Sequence, residues 1–209
     1  MTVYDLSLPI HAGMLVYPGD PPPAITRTSS IDQGAALTTS VLTLPAHTGT
    51  HVDAPSHFLA GGRTLSDYPP DAFFGPAMVV DLARHAHVSA AALAEHELPA
   101  GRHLLLRTRN SAHLSAAGYD RDHACIEPAA AEVLIAHRPL SIGFDYYSVD
   151  SSAGLGLVVH RRLAQEGLLA YVCLDLSAVP AGECTFYGLP LRLDGVEASP
   201  VRALALRGD

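Results

Sequence analysis

The stretch Pro45-Ala46-His47-Thr48-Gly49-Thr50-His51-Val52-Asp53-Ala54-Pro55-Ser56-His57-Phe58 places three histidines and an aspartate within eleven consecutive residues, His47 to His57. Imidazole nitrogen and carboxylate oxygen are the ligands that borderline divalent ions such as zinc and manganese accept, so ligand chemistry alone makes this a metal-site candidate. Thr48, Thr50 and Val52 favour a strand, and in a strand His47, His51 and Asp53 all point to one face. Residues four apart in an extended chain lie roughly 13 Å from each other, too far for His47 and His51 to share one ion through bonds of about 2 Å. The chain must therefore bend between them, and Gly49 permits a bulge or tight turn without a Cβ penalty. His51 and Asp53, about 7 Å apart on the same face, then converge from one side. Pro55 has no N–H to donate, so it ends the ladder and lifts His57 out of the strand. A lone histidine is more often a hydrogen-bonded core or surface residue, but three beside an aspartate around a glycine bend exceed what a surface strand needs.

Outward from this stretch, strand signals dominate. Val3 to Leu8 alternates weakly and is closed by Pro9, and Tyr17-Pro18-Gly19-Asp20 reads as a rigid turn. Ile25 to Ser29 and Thr38 to Leu44 are β-rich and lead into the motif, which predicts a site on a β scaffold. Ala77 to Leu82, His103 to Thr108, Leu140 to Phe144 and Leu168 to Leu174 read as strands, the first buried on both faces. Thr185 to Tyr187, Leu189 to Leu193 and Val201 to Leu206 add further strands near the C-terminus. Helices are predicted from a Ser89 cap to about His96, from Glu127-Pro128 to His137, and from Val158 to Glu166 with Gly167 as stop and His160 in its first turn. His85, His87 and His96 are expected to be solvated, and Asn110 to Cys125 is expected to be loop. Strands outnumber helices and often follow one another, which argues for an α+β fold with a mixed or mainly antiparallel sheet.

Composition narrows the function. A chain of 209 residues fits one domain, 1–209. Its net charge is −8 and all 13 basic residues are arginine, scattered without a run, so nucleic acid and anionic membrane are poor partners and a small-molecule substrate is expected. The absence of lysine excludes a Schiff base, a pyridoxal-phosphate enzyme and a lysine general base. Cys125, Cys173 and Cys184 match neither a disulfide framework nor a cysteine zinc site, which fits a reducing cytoplasm. No basic leader and no run of about 18 apolar residues is present, so the protein is expected to be cytoplasmic. No serine-hydrolase elbow or phosphate loop occurs, and Gly154-Leu155-Gly156 is too short to count as a dinucleotide fingerprint.

The pattern His-x-Gly-Thr-His-x-Asp-x-Pro-x-His, His47 to His57, resembles the signature of the metal-dependent cyclase superfamily, which includes bacterial kynurenine formamidase and isatin hydrolase. The likeness extends to Tyr17-Pro18-Gly19-Asp20, Gly75 to Leu82, Gly143-Phe144-Asp145, Ser148-Val149-Asp150, His160-Arg161 and Leu174 to Pro180. It implies the swivelling β/β/α fold of that family with a mixed, largely antiparallel central sheet, and a homodimer or homotetramer. It also implies that Tyr17 lies over the substrate, where kynurenine formamidases carry tryptophan.

In two-metal members the first ion takes the residues matching His47, His51 and Asp53. The second takes that aspartate, the residue matching His160, and a glutamate at the position of Val172. Valine cannot ligate, and Cys173 next to it should face away from the site unless the strand bulges. Glu166 lies too early on its helix for a simple swap, and Glu183 would need a fold-back. The expectation is therefore one zinc or manganese ion per chain on His47, His51 and Asp53, with His160 as a fourth ligand or a second acid/base. Asp145 and Asp150 fall where the family keeps acidic residues and equally suit turns. Three ligands with an open position suit a catalytic ion, and His57 is assigned as general acid/base for a hydrolase acting on a formamide, lactam or lactone. A lyase or ring-closing cyclase is the alternative, and a binding homologue that has lost turnover, given Val172, is another.

Overall fold

The computed structural model describes residues 1–114, 118–152 and 156–208. Part of the segment read as loop after Asn110, and Gly154-Leu155 of the short glycine fragment, lie outside the described residues. The chain begins with β1 (Thr2–Asp5), β2 (Ala24–Ser29), β3 (Thr39–Thr43), β4 (His51–Asp53) and β5 (Phe74–Asp81). Helices and strands then alternate as α1 (Ala90–Leu93), β6 (His103–Arg107), α2 (Pro128–Ala136), β7 (Ser141–Phe144), α3 (Val158–Gln165) and β8 (Leu169–Val172). Three strands finish it: β9 (Gly182–Tyr187), β10 (Ala198–Pro200) and β11 (Leu204–Arg207).

Nine strands form one sheet in the order β1-β11-β9-β5-β6-β7-β8-β4-β10. β5, β6, β7 and β8 are parallel to one another, because a helical crossover between consecutive strands returns the chain in the same direction. The antiparallel pairings lie on the flanks, where β9, β11 and β1 extend one edge and β4 and β10 the other. The mixed sheet expected from the sequence is thus present, with its parallel part in the middle.

Leu104, Leu105 and Leu106 are fully buried because both faces of β6 are covered. Strand alternation sends Leu104 and Leu106 to one face, where Leu93 of α1, Leu134 of α2 and Leu163 of α3 join their core. Leu105 goes to the other face and shares a core with Val52 of β4, Tyr171 of β8, Phe186 of β9 and Ala205 of β11. Strands from both ends of the sheet meet there, so the sheet curls over itself and the layers read β/β/α. The segment after β1 bridges the gap. Leu6 N–H donates to Ala203 O at 2.9 Å, Asp175 N–H donates to Leu6 O at 2.8 Å, and Leu8 N–H donates to the Thr50 hydroxyl at 2.9 Å.

Several local expectations change. Only a single bridge, Pro190 to Val201, forms in the Leu189 to Leu193 stretch. Pro190 lacks an N–H, and Leu191 gives its own to the Ser199 hydroxyl at 3.1 Å. β2 and β3 pair only with each other, as a separate antiparallel ribbon. Ser89 caps α1 by accepting from Ala92 N–H at 3.1 Å, but the helix stops at Leu93. His87 is exposed as expected, whereas His85 and His96 are half-buried. Among the described residues no helix is long and apolar enough to cross a membrane.

Gly143 on β7 leaves room for buried leucines of the adjoining β6 and of the segment after β8. A Cβ there would lie 2.6 Å from Leu105 Cδ2 and 2.7 Å from Leu174 Cδ1. Gly143→Ala is expected to destabilise the fold by about 1–3 kcal/mol through overpacking, read as a lowered urea midpoint. An unchanged midpoint would contradict this packing.

Candidate metal centre

The motif folds as a turn followed by a short strand, and each part is held from outside. Thr48 closes the turn by donating its N–H to Pro45 O at 3.1 Å and its hydroxyl to the same oxygen at 2.7 Å. Gly49 follows with φ +62°, in the left-handed region that disfavours side chains, and this is the bend the spacing demanded. The Thr50 hydroxyl donates to Cys173 O at 2.6 Å, and Thr50 O accepts from Val201 N–H at 3.0 Å. β4 is then clamped between β8 and β10, with His51 opposite Val172 and Pro200. The strand covers only His51 to Asp53, because the turn takes up the residues before it.

This brings His47, His51 and Asp53 together. His51 Nδ1 donates to Gly49 O at 2.7 Å, so the carbonyl fixes the tautomer and leaves Nε2 with its lone pair, 3.4 Å from Asp53 Oδ1. His47 Nδ1 lies 2.9 Å from the same oxygen, and the two rings stand at 87° to each other with centroids 5.1 Å apart. Despite these contacts Asp53 Oδ1 is buried and accepts no hydrogen bond. A buried carboxylate oxygen left this way costs several kcal/mol, roughly what a lost charged hydrogen bond costs. An ion among the three side chains removes that penalty, and their donor atoms all lie within 4.8 Å of one another. The donor set, two imidazoles and a carboxylate, fits a divalent ion such as zinc or manganese.

The electrostatics of Asp53 and His51 agree with this donor set. Burial opposes the charge on Asp53, but the His51 and His47 rings outweigh it and hold its pKa down to about 2. Burial also pushes His51 below the usual histidine value, toward the neutral form that ligates. At His47 burial opposes protonation, yet Asp53 and Glu197 override it and raise the pKa. Pro55 turns the chain into a short 3-10 segment, Pro55–His57, and places the exposed His57 ring 4.1 Å from the His47 ring. Burial of one side of that ring lowers its pKa.

His160 does not join the three. It sits in the first turn of α3, where its Nδ1 donates to Asp150 Oδ2 at 2.6 Å. Asp150 also accepts the N–H groups of Val159 at 2.8 Å and His160 at 3.1 Å, so one carboxylate caps the helix and fixes the imidazole. His160 stacks on Phe58 at 4.5 Å and lines the same cavity. That cavity, of about 200 Å³, is walled by Tyr17, Phe58, Tyr147 and Leu157, with Asp20 at its side. Tyr17 therefore stands over the site, braced edge-on by Tyr119 at 5.4 Å. Asp145 lies elsewhere: fully buried, it accepts four hydrogen bonds from Thr108 and Ser111 and ties the end of β6 to β7.

The Cyclase family model matches residues 4–151. A kynurenine formamidase from Paracidovorax citrulli is 33% identical over 207 residues, covering 97% of this chain and 95% of the relative. The chain belongs to the cyclase family. A solved structure described as a potential metal-dependent hydrolase with cyclase activity covers 100% of this cyclase-family chain and 98% of its own, with TM-score 0.86 at 28% identity. Isatin hydrolase A from Labrenzia aggregata, bound to benzyl benzoate, covers 100% and 94%, with TM-score 0.86 at 23% identity, and shares the fold. This member of the cyclase family is an enzyme, of the metal-dependent hydrolase kind.

Where the resemblance implied a second-ion glutamate, this cyclase-family enzyme has Val172, 1% exposed and packed into the helix-side core. Cys173 adopts φ +56°, which breaks the strand alternation. It is buried, burial and then Asp53 push its thiol well above the usual value, and it is outside the donor set. Glu166 pairs with Arg162, and Glu183 with Arg102 at 2.9 Å, both away from the cavity. The carboxylate that does reach the motif is Glu197, with Oε1 3.4 Å from His47 Nε2. No sequence signal marked it: it stands alone in a turn just before β10, and only the β4–β10 pairing brings it back to residues far earlier in the chain.

Gly49→Ala forces a left-handed backbone on a residue with a Cβ, which would also sit 3.2 Å from Met14 Cε. The strain, about 1–2 kcal/mol, is expected to appear as a roughly tenfold loss of zinc affinity in a competition titration. Unchanged affinity would mean that the bend does not set the ligand geometry.

Proposed function

We propose that this enzyme hydrolyses an acyl C–N or C–O bond, of formamide, lactam or lactone type, in a small substrate. One observation carries the reading: a buried carboxylate oxygen without hydrogen bonds, contacted by two imidazole nitrogens, with a further, exposed imidazole whose ring centre lies 4.1 Å from that of one of them. A divalent ion held by His47, His51 and Asp53 would supply Lewis acidity toward a substrate carbonyl and make water easier to deprotonate.

His57 does the proton work. Its lowered pKa keeps the ring neutral near pH 7, so a ring nitrogen can take a proton from water and pass it to the leaving nitrogen or oxygen. Tyr17, Phe58, Tyr147 and Leu157 offer apolar walls to a flat or aromatic acyl group and exclude bulk water. His160, held by Asp150, is the second acid/base of the cavity. The name of the Paracidovorax citrulli relative points to a formamide and that of the isatin hydrolase to a cyclic amide, and a cavity of about 200 Å³ suits substrates of that size. Tyr17 in place of tryptophan argues for a substrate other than that of the kynurenine formamidases. Retention of His57 beside all three ligands favours turnover over a binding role.

The test compares two variants on N-formylkynurenine, isatin and simple lactones with zinc or manganese supplied. His57→Ala is expected to keep its metal and lose about 10²- to 10⁴-fold in turnover, the usual range for a general acid/base. His51→Ala is expected to lose both metal and turnover. Full activity in His57→Ala would sink the assignment.

A further inference from the structure

We propose that the cavity carries a second, weaker divalent-cation site, built from His57, Glu197 and the outer nitrogen of His47, and that an ion bound there switches the enzyme off. The proposal rests on the metal-dependent hydrolase reading and adds a regulatory site to it. Its first support is geometric. Donor atoms of His47, His57 and Glu197 lie within 4.8 Å of one another. Two imidazoles and a carboxylate are again a donor set that zinc accepts.

The two sets use opposite nitrogens of one ring. His47 Nδ1 faces Asp53 at 2.9 Å, while Nε2 faces Glu197 at 3.4 Å. When an inner ion is held through Nδ1, the neutral ring carries its proton on Nε2, and that proton passes to solvent as an outer ion binds. Glu197 is anchored for this role by its backbone, since its carbonyl accepts from Ala54 N–H at 2.8 Å, directly after Asp53. Its side chain remains 41% exposed and His57 is exposed, so the outer set opens to solvent whereas His51 and Asp53 are buried. The displaced ring proton, the repulsion from an inner ion and the wetter surroundings all make the outer site the weaker one.

The consequence follows from His57. A ring nitrogen bound to a cation has no lone pair for a proton, so the residue assigned as acid/base is blocked while the outer ion is in place. Activity should therefore rise as the first ion binds and fall again at higher metal concentration.

Equilibrium dialysis of the full-length protein against zinc, with bound metal counted directly, tests this alongside turnover over the same zinc series. The expected result is two ions in the wild type, the second at least about tenfold weaker than the first. In Glu197→Gln the second ion should weaken by about tenfold or more, as for a lost carboxylate ligand, with the first ion and the initial rise in activity kept. The inhibitory limb should move to higher zinc in step. A single ion at every zinc concentration, or a second ion unaffected by Glu197→Gln, would overturn the outer site. So would loss of the first ion in that variant, which would mean that Glu197 only orients His47. A wild type that takes up no zinc at all would overturn the inner site as well, which separates the two failures.

Discussion

Asp53 is held where a carboxylate is costly, and the surrounding structure exists to make that position tolerable. Its Oδ1 is buried without a hydrogen bond, yet two imidazole nitrogens approach to 2.9 and 3.4 Å. Charge complementarity keeps it ionised, and an ion among the three groups turns an unfavourable burial into a binding site. Everything around it serves this contact. The left-handed Gly49 swings His47 inward, Gly49 O fixes the His51 tautomer, and Thr50 ties β4 to the Cys173 corner and to the segment after β1.

The fold supplies rigidity through topology. β4 is only three residues long, too short to be stable alone, and it is ordered because it lies between β8 and β10 in one continuous sheet. The parallel centre, buried on both faces, carries the core, and the antiparallel flanks curl until Val52 packs with Phe186 and Ala205. A site built on such strands is held more closely than one on a free loop. His57 and the wall residue Tyr17 come instead from a 3-10 segment and a turn, and both line the cavity.

Much of this was legible in the sequence because it was local. Ligand type, the requirement for a bend at Gly49 and the displacement of His57 by Pro55 all follow from spacing within eleven residues. The buried strands showed as continuous apolar runs, and Ser89 and Pro128 marked helix starts correctly. What failed was non-local. Leu189 to Leu193 looks like a strand, but Pro190 and the Ser199 hydroxyl divert its hydrogen bonds. Asp150 read as a turn former, and only the fold shows it capping α3 and orienting His160. Glu197 had no signal because its partner, His47, is distant in sequence and is reached through a strand pairing that its short, proline-ended neighbour β10 did not announce.

The central claim is that His47, His51 and Asp53 share one divalent ion. Anomalous diffraction at the zinc edge, on crystals of the protein grown with stoichiometric zinc, addresses it most directly. The account predicts a peak about 2.0–2.2 Å from His47 Nδ1, His51 Nε2 and Asp53 Oδ1 together. A peak on other residues, or an ordered Asp53 with no density beside it, would contradict it.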